Sequence, residues 1–103
     1  MSRAAQLQRL AAQLDALSAA GDWRGLADAD REVGVSWRRL SARGPWTAEE
    51  QVALAALRSA HRAAAARCAA EAAQVRERMN ELAGHKEGWM AYAASSHWEG
   101  ERA

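Results

Sequence analysis

Four leucines recur near the start of the chain at the spacing of an α-helix. They are Leu7, Leu10, Leu14 and Leu17, which lie three, four and three residues apart. This spacing places them in a single apolar stripe of the coiled-coil type. Ser2 precedes the stripe as an N-cap, and Gly21 follows it as a typical helix stop. We therefore expect a first helix over residues 2–20.

A second amphipathic segment follows at once, with Asp22 as its N-cap, and extends over residues 22–42. Its apolar positions are Trp23, Leu26, Val33, Trp37 and Leu40. Trp37 is expected in the core of the hairpin that the first two helices form. Gly25 and Gly34 each weaken a helix by up to ~1 kcal/mol relative to alanine, and one of them is expected at a close helix crossing.

The third helix starts at "TAEE", which has the pattern of a capping box with Thr47 as N-cap and Glu50 returning to it. Trp46 precedes this cap and is expected to pack back on the helix as a hydrophobic staple. The helix extends over residues 48–83, and Gly84 is the expected stop. Its apolar stripe consists of Leu54, Leu57, His61, Ala64, Cys68, Ala72, Val75, Met79 and Leu82.

A short fourth helix is expected over residues 86–98. Its large side chains are Trp89, Met90, Tyr92 and Trp98. No stretch of the chain alternates in the manner of a strand, and the one proline, Pro45, lies between the second and third helices. The predicted fold class is all-α, an antiparallel helical bundle in one domain over residues 1–103. It consists of a helix hairpin, one long helix and a short carboxyl-terminal helix.

The helix lengths leave part of the third helix without a partner. At 1.5 Å per residue the first two helices span roughly 30 Å each and the third roughly 55 Å. The fourth helix, a second copy of the chain or a client protein could cover the rest, since a long apolar stripe does not normally stay bare in water. Tryptophan, tyrosine and methionine are also favoured at interfaces. The candidate partner-binding residues are Leu54, Leu57, Val75, Met79, Leu82, Trp89, Met90, Tyr92 and Trp98.

Charge and composition exclude several function classes. The 14 basic and 13 acidic residues are spread along the chain, so there is no clustered basic face for nucleic acid. No segment has the pattern of a signal peptide, and none approaches the ~20 apolar residues of a membrane helix. A single cysteine, Cys68, cannot form an internal disulfide. We therefore expect a cytoplasmic protein.

No constellation of side chains indicates catalysis or metal binding. His61 is expected to be a core or edge histidine with a hydrogen-bond partner, and Cys68 a small buried side chain. These two residues alone do not make a zinc site, and His85 and His97 have no ligand-like spacing. The sequence also has no glycine-rich phosphate loop. We therefore expect no enzyme activity, no cofactor and no metal.

The stretch "LDALSAAGDWRGLADADREVGVSWRRL" resembles the second-helix region of the FliT-type flagellar export chaperones. In that family a helix ends in small residues and a glycine, and an acidic residue and a tryptophan then open the next helix, as Asp22 and Trp23 do here. The next matching positions are Leu26, Asp30 and Arg31. The ending "GWMAYA" and the long alanine-rich third helix also resemble the family, so the resemblance covers roughly residues 14–93.

The resemblance implies a small cytosolic helical protein that binds the carboxyl-terminal segment of the flagellar filament-cap protein and delivers it to the export apparatus. It also implies contacts with components of the export ATPase and with a flagellar transcriptional regulator, restrained by the carboxyl-terminal helix as a lid. A client helix would lie with its apolar side on the stripes of the second and third helices.

Two alternatives stay open at this point. The chain could be a helical homodimer, a structural or adaptor protein whose third helices pair along their uncovered stripe. It could also be a regulator of a flagellar transcription factor without a role in export.

Overall fold

The computed structural model describes the backbone of residues 1–102 and the side chains of residues 1–95. Over this described backbone there are three helices: α1 over Arg3–Ala20, α2 over Trp23–Ser41 and α3 over Ala48–Arg102. No strand occurs among the described residues. The predicted all-α fold class is therefore confirmed, and the first two helices begin and end within one residue of their predicted bounds.

The turn between α1 and α2 is built from Gly21 and Asp22. Gly21 has a left-handed backbone with a φ of 70°, and its N–H donates to the carbonyl groups at the end of α1. Glycine takes this conformation without the steric cost of a side chain. The carboxylate of Asp22 accepts a hydrogen bond of 2.9 Å from the N–H of Gly25 and caps α2. The predicted stop and the predicted cap are both confirmed.

The two glycines inside α2 differ in their surroundings. A Cβ atom on Gly25 would lie 2.5 Å from the carboxylate of Asp22 and 3.0 Å from a methyl group of Leu17 on α1. A Cβ atom on Gly34 would have no neighbour within 4 Å. The close approach expected at one of these glycines is therefore at Gly25, where α2 begins beside the end of α1.

The predicted stop at Gly84 and the separate fourth helix over residues 86–98 are wrong. One helix of 55 residues, α3, covers both predicted segments. A glycine ends a helix when its backbone turns left-handed, and Gly84 does not take a positive φ. It is flanked by good helix formers, so the helix continues at the cost of up to ~1 kcal/mol that a helical glycine carries.

Internal contacts divide the chain into two compact units, Met1–Ala69 and Ala70–Ala103, and α3 contributes to both. In the first unit, three helices pack around one core. The buried core residues are Ala4, Leu7, Leu10, Ala11, Leu14, Ala29, Leu40, Ala53, Leu54, Leu57 and Ala60. The leucine stripe of α1 is thus buried as predicted, with Leu17 at its edge.

Polar contacts show the directions in which the three helices pack. Arg3 at the start of α1 donates to the carbonyl group of Leu40 at the end of α2, so these two helices are antiparallel. Arg67 on α3 donates a hydrogen bond of 2.7 Å to the hydroxyl group of Ser18 near the end of α1. Since Arg3 also contacts the first turn of α3, helices α1 and α3 are parallel.

The buried face of α3 differs from the predicted stripe. Its buried residues are Ala53, Leu54, Leu57, Ala60 and Ala64. Cys68 is exposed, so its predicted burial is wrong. His61 is also exposed, and its Nε2 atom lies 2.9 Å from Oδ1 of Asp30, which makes it an edge histidine with the expected hydrogen-bond partner. In this stretch Arg67 rather than Cys68 reaches α1, where it donates to Ser18.

A single arginine contacts all three helices near one end of the first unit. The side chain of Arg3 donates to both carboxylate oxygens of Glu50, with Nη2 lying 2.8 Å from Oε1. It also donates to the carbonyl groups of Leu40, Gly44 and Pro45 at 3.0, 3.0 and 2.7 Å. These contacts use all five N–H groups that a guanidinium carries. We call this arrangement the Arg3 clamp.

Glu50 completes the clamp and also caps α3. Its carboxylate accepts a hydrogen bond of 2.9 Å from the N–H of Thr47, and the Thr47 hydroxyl group accepts one of 3.2 Å from the N–H of Glu50. The predicted capping box is therefore confirmed. The hydrogen bonds from Arg3 and then from Thr47 stabilise the charged carboxylate and lower the pKa of Glu50 to about 2.

Candidate functional site

The first unit has an apolar groove between α2 and α3. Its lining residues are Val33, Trp37, Leu54, Leu57, Arg58, His61 and Arg62. We call it the α2–α3 groove. Leu54 and Leu57 form its floor and are each 6% exposed, because the same side chains belong to the core of the unit. The apolar floor of the groove is therefore continuous with the core of the unit.

Trp37 forms a wall of this groove and does not lie in the core. It is 42% exposed, so its predicted position inside the helix hairpin is wrong. Its ring stacks on Trp46, with the ring centroids 5.6 Å apart and the planes inclined by 23°. Leu40, which follows Trp37 by three residues, is fully buried and takes the core position instead.

Trp46 connects the groove to the Arg3 clamp. The guanidinium carbon of Arg3 lies 4.0 Å from the centroid of the Trp46 ring, a cation–π contact. A second recess, lined by Trp37, Trp46, Gln51, Leu54 and Arg58, continues from the groove. Trp46 thus contacts Trp37 of α2 on the groove side and Arg3 of α1 on the side of the clamp. The stack on Trp46 leaves Trp37 42% exposed.

The rim of the groove carries two arginines, and the carboxylate of Asp30 lies beside His61 at its edge. Arg58 and Arg62 lie four residues apart on α3 and therefore point from the same face of the helix. Neither forms an ion pair within the part of the chain that the structure describes. A ligand that combines apolar side chains with carboxylates would match both the floor and the rim.

The second unit carries a different apolar surface. Every residue over 72–95 is exposed, among them large apolar side chains. Met79, Leu82 and Trp89 are 63%, 66% and 72% exposed. Trp89 and Tyr92 are in contact edge to face, with centroids 6.3 Å apart, next to a shallow recess at Gly84 and Gly88.

The predicted partner-binding residues fall into two separate groups. Leu54 and Leu57 lie at the floor of the α2–α3 groove in the first unit. Val75, Met79, Leu82, Trp89, Met90 and Tyr92 are exposed in the second unit. The side chain of Trp98 lies outside the described residues. Val33 and Trp37 also line the groove. The sequence places them on the apolar stripe of the second helix but not among the candidate partner-binding residues, although their i, i+4 spacing is the signal for a shared face.

The described residues contain neither a cluster of metal-ligand side chains nor a candidate membrane-spanning helix. No group of three or more histidine, cysteine, aspartate or glutamate side chains within them could hold a metal ion. No helix in the same part of the chain combines the length and the hydropathy that a bilayer crossing requires. The α2–α3 groove combines an apolar floor with a polar rim.

Comparison of the chain with protein-family models, with curated proteins and with solved structures found no match.

Proposed function

We propose that this protein binds the apolar face of an amphipathic segment from a client protein in the α2–α3 groove. The observation that carries the proposal is the exposed, stacked Trp37 beside the apolar floor at Leu54 and Leu57. Helix-in-groove recognition needs a preformed apolar cleft into which side chains at i, i+3 and i+4 positions of the client can insert. A groove whose floor belongs to the core supplies one without rearrangement.

The affinity would come mainly from burial of Trp37 and the client's apolar side chains. Burial contributes ~25 cal/mol per Å² of apolar surface before the costs of association are subtracted. Because Trp46 already holds the Trp37 ring, little side-chain entropy would be lost on binding. Arg58 and Arg62 would pair with carboxylates at the edge of the client and set its orientation.

The resemblance to the FliT-type chaperones supports a more specific proposal. The client would be the carboxyl-terminal segment of a flagellar filament-cap protein, which the chain would deliver in the cytoplasm to the export apparatus. Contacts with components of the export ATPase and with a flagellar transcriptional regulator belong to the same proposal. The glycine stop, the Asp22 cap and the adjoining Trp23 support it, since they form the hairpin corner that the family's pattern implies.

The regulatory lid is not retained in this proposal. It required a short fourth helix that could fold back, whereas the residues assigned to it continue α3. Deletion of residues 86–103 is expected to leave client binding in the groove unchanged.

Calorimetric titration with a filament-cap carboxyl-terminal peptide tests the proposal. Substitution Trp37→Ala should weaken binding by about tenfold or more, as expected for a central aromatic contact. Val35→Ala shortens an exposed apolar side chain of the same helix that does not line the groove and serves as the matched control, with no expected effect. Circular dichroism should show unchanged helicity for both variants.

Two results would contradict the proposal. If the wild-type chain does not bind the peptide, the flagellar client is wrong. If Trp37→Ala binds as tightly as the wild type, the α2–α3 groove is not the client site.

A further inference from the structure

The exposed residues of the second unit contain a regular seam along α3. Its members alternate at spacings of three and four residues and are Ala72, Val75, Met79, Leu82, Lys86, Trp89 and Ala93. We call these residues the α3 seam. Six of them are apolar, and all lie on one helix at the seven-residue repeat of a left-handed coiled coil. Apolar positions that repeat in this way over three heptads are typical of a helix that packs along a second helix.

The heptad frame assigns a position to every residue of this segment. Ala72, Met79, Lys86 and Ala93 hold the a positions, and Val75, Leu82 and Trp89 hold the d positions. Glu71 then lies at g and Arg76 at e, the two positions that flank the seam. Residues at e and g select the partner of a coiled coil through their charges.

One pair of flanking charges, Glu71 and Arg76, is complementary between two copies of the seam, whereas the next g residue, Arg78, has Ala83 at the corresponding e position. In a parallel, in-register pair, each g residue lies beside the e residue five positions later on the other helix. Glu71 of one copy therefore faces Arg76 of the other, and symmetry creates two such pairs. Within its own chain Glu71 lies 3.9 Å from Arg78, an exposed contact that holds it only weakly.

We propose that the α3 seam pairs with the α3 seam of a second copy of this chain, in parallel and in register. Lys86 supports a two-stranded pair, because a single charged residue at an a position lowers stability and selects oligomer state and register. The pair would cover Met79, Leu82 and Trp89, which are more than three-fifths exposed in the single chain. This inference concerns the second unit and is independent of client binding in the α2–α3 groove.

The oligomeric state of the full chain is the first test. Sedimentation equilibrium over micromolar to millimolar concentrations should show a monomer–dimer equilibrium for the wild type. Lys86→Leu should tighten the dimer by about tenfold or more, because it completes the apolar seam. Asn80→Leu adds the same side chain at a b position, away from the seam, and should leave the equilibrium unchanged.

Charge reversal tests the pairing of Glu71 with Arg76. Glu71→Arg or Arg76→Glu alone places like charges beside each other in the dimer and should weaken it, whereas the double exchange should restore it. Within one helix, the double exchange only swaps the positions of the two charges. A restored dimer would therefore show that these charges are in contact between the two copies.

Cys68 reports the orientation of the two helices. It lies seven residues before Val75 on α3, holds the same heptad position and has an exposed thiol. Oxidation with diamide should join two copies through Cys68 in a parallel pair, and Cys68→Ser should abolish the cross-link. In an antiparallel pair the two thiols would lie far apart along the helices.

Three outcomes would overturn the inference. A wild-type chain that stays monomeric at the highest concentration has no such pair. Equal effects of Lys86→Leu and Asn80→Leu would show that the seam is not the interface. A dimer that does not cross-link through Cys68 is not parallel and in register. In each case the groove test with Trp37→Ala remains a separate measurement.

Discussion

Arg3 and Glu50 lie 47 residues apart in the sequence and form two hydrogen bonds side by side in the folded chain. Their side chains are only 9% and 13% exposed, so this pair is largely shielded from solvent. A fork-to-fork pair of this kind requires the planar guanidinium, which lysine cannot replace. The contact joins the first turn of α1 to the first turn of α3.

Substitution Arg3→Lys should lower the thermal midpoint of unfolding, although the positive charge is kept. A lysine has three donors on one nitrogen atom and cannot reach both carboxylate oxygens and the three carbonyl groups of the clamp. Thermal unfolding followed by circular dichroism measures the change. Arg24→Lys is the control, because Arg24 is exposed and forms no ion pair among the described residues. Equal midpoints for the two variants would contradict a stabilising role for the paired hydrogen bonds between Arg3 and Glu50.

Stability should depend on acid through Glu50. The pKa of Glu50 is about 2 in the folded chain, below its ordinary value of 4.5. A lowered folded-state pKa contributes stability above the ordinary pKa, and this contribution is lost as the pH falls from about 4.5 to about 2. Glu50→Gln should therefore show a smaller loss of stability over that interval.

Urea unfolding at a series of pH values measures this dependence. Glu49→Gln is the matched control, since Glu49 is an exposed neighbour in the same helical turn. The prediction fails if Glu50→Gln retains the full acid dependence of the wild type.

Leu14→Ala should destabilise the first unit by about 2–5 kcal/mol, the usual range for a large-to-small change at a buried leucine. Leu14 is 1% exposed and belongs to the core of all three helices. Val52→Ala shortens a side chain that is 71% exposed and should change stability by less than about 0.5 kcal/mol. Urea unfolding of the full chain gives both values.

Two glycines should respond to alanine in opposite directions. Gly34→Ala should stabilise the chain by about 0.5–1 kcal/mol, because a Cβ atom there meets nothing within 4 Å inside a helix. Gly21→Ala should destabilise it by about 1–2 kcal/mol, because its φ of 70° is unfavourable for alanine. A shift of the same sign for both variants, measured by thermal unfolding, would contradict this account.

Local signals were sufficient to predict the hairpin and its caps. The leucine stripe of α1, the Gly21 stop, the Asp22 cap and the Thr47–Glu50 capping box each depend on neighbouring residues only. Their physical causes are contained within one or two helical turns. These features therefore follow from short stretches of the amino-acid sequence alone.

The continuity of α3 could not be derived in this way. Gly84 is as compatible with a helix interior as with a stop, and only the backbone around it decides between the two. The alanines of α3 pose a similar problem, since they offer more than one face small enough for close packing. The contact of Arg67 with Ser18 identifies the face that is used, and it joins residues far apart in the sequence.

The candidate site also contains some residues whose positions follow from local spacing and others whose positions depend on tertiary structure. Leu54 and Leu57 were identified by their helical spacing and do lie in the groove. Trp37 was placed in the core because large apolar residues are usually buried. Its partner Trp46 lies in the connection before α3, and a stack between them depends on tertiary structure that periodicity does not contain.

The Arg3 clamp also bears on how the chain is made. A ribosome releases α1 and α2 first, and at that stage Arg3 has neither Glu50 nor the capped start of α3 to bind. Residues from α3 are also missing from the core until that helix has emerged. Domains fold as units during synthesis. The hairpin of α1 and α2 can therefore complete its core and the Arg3 clamp only after the first turns of α3 have been synthesised.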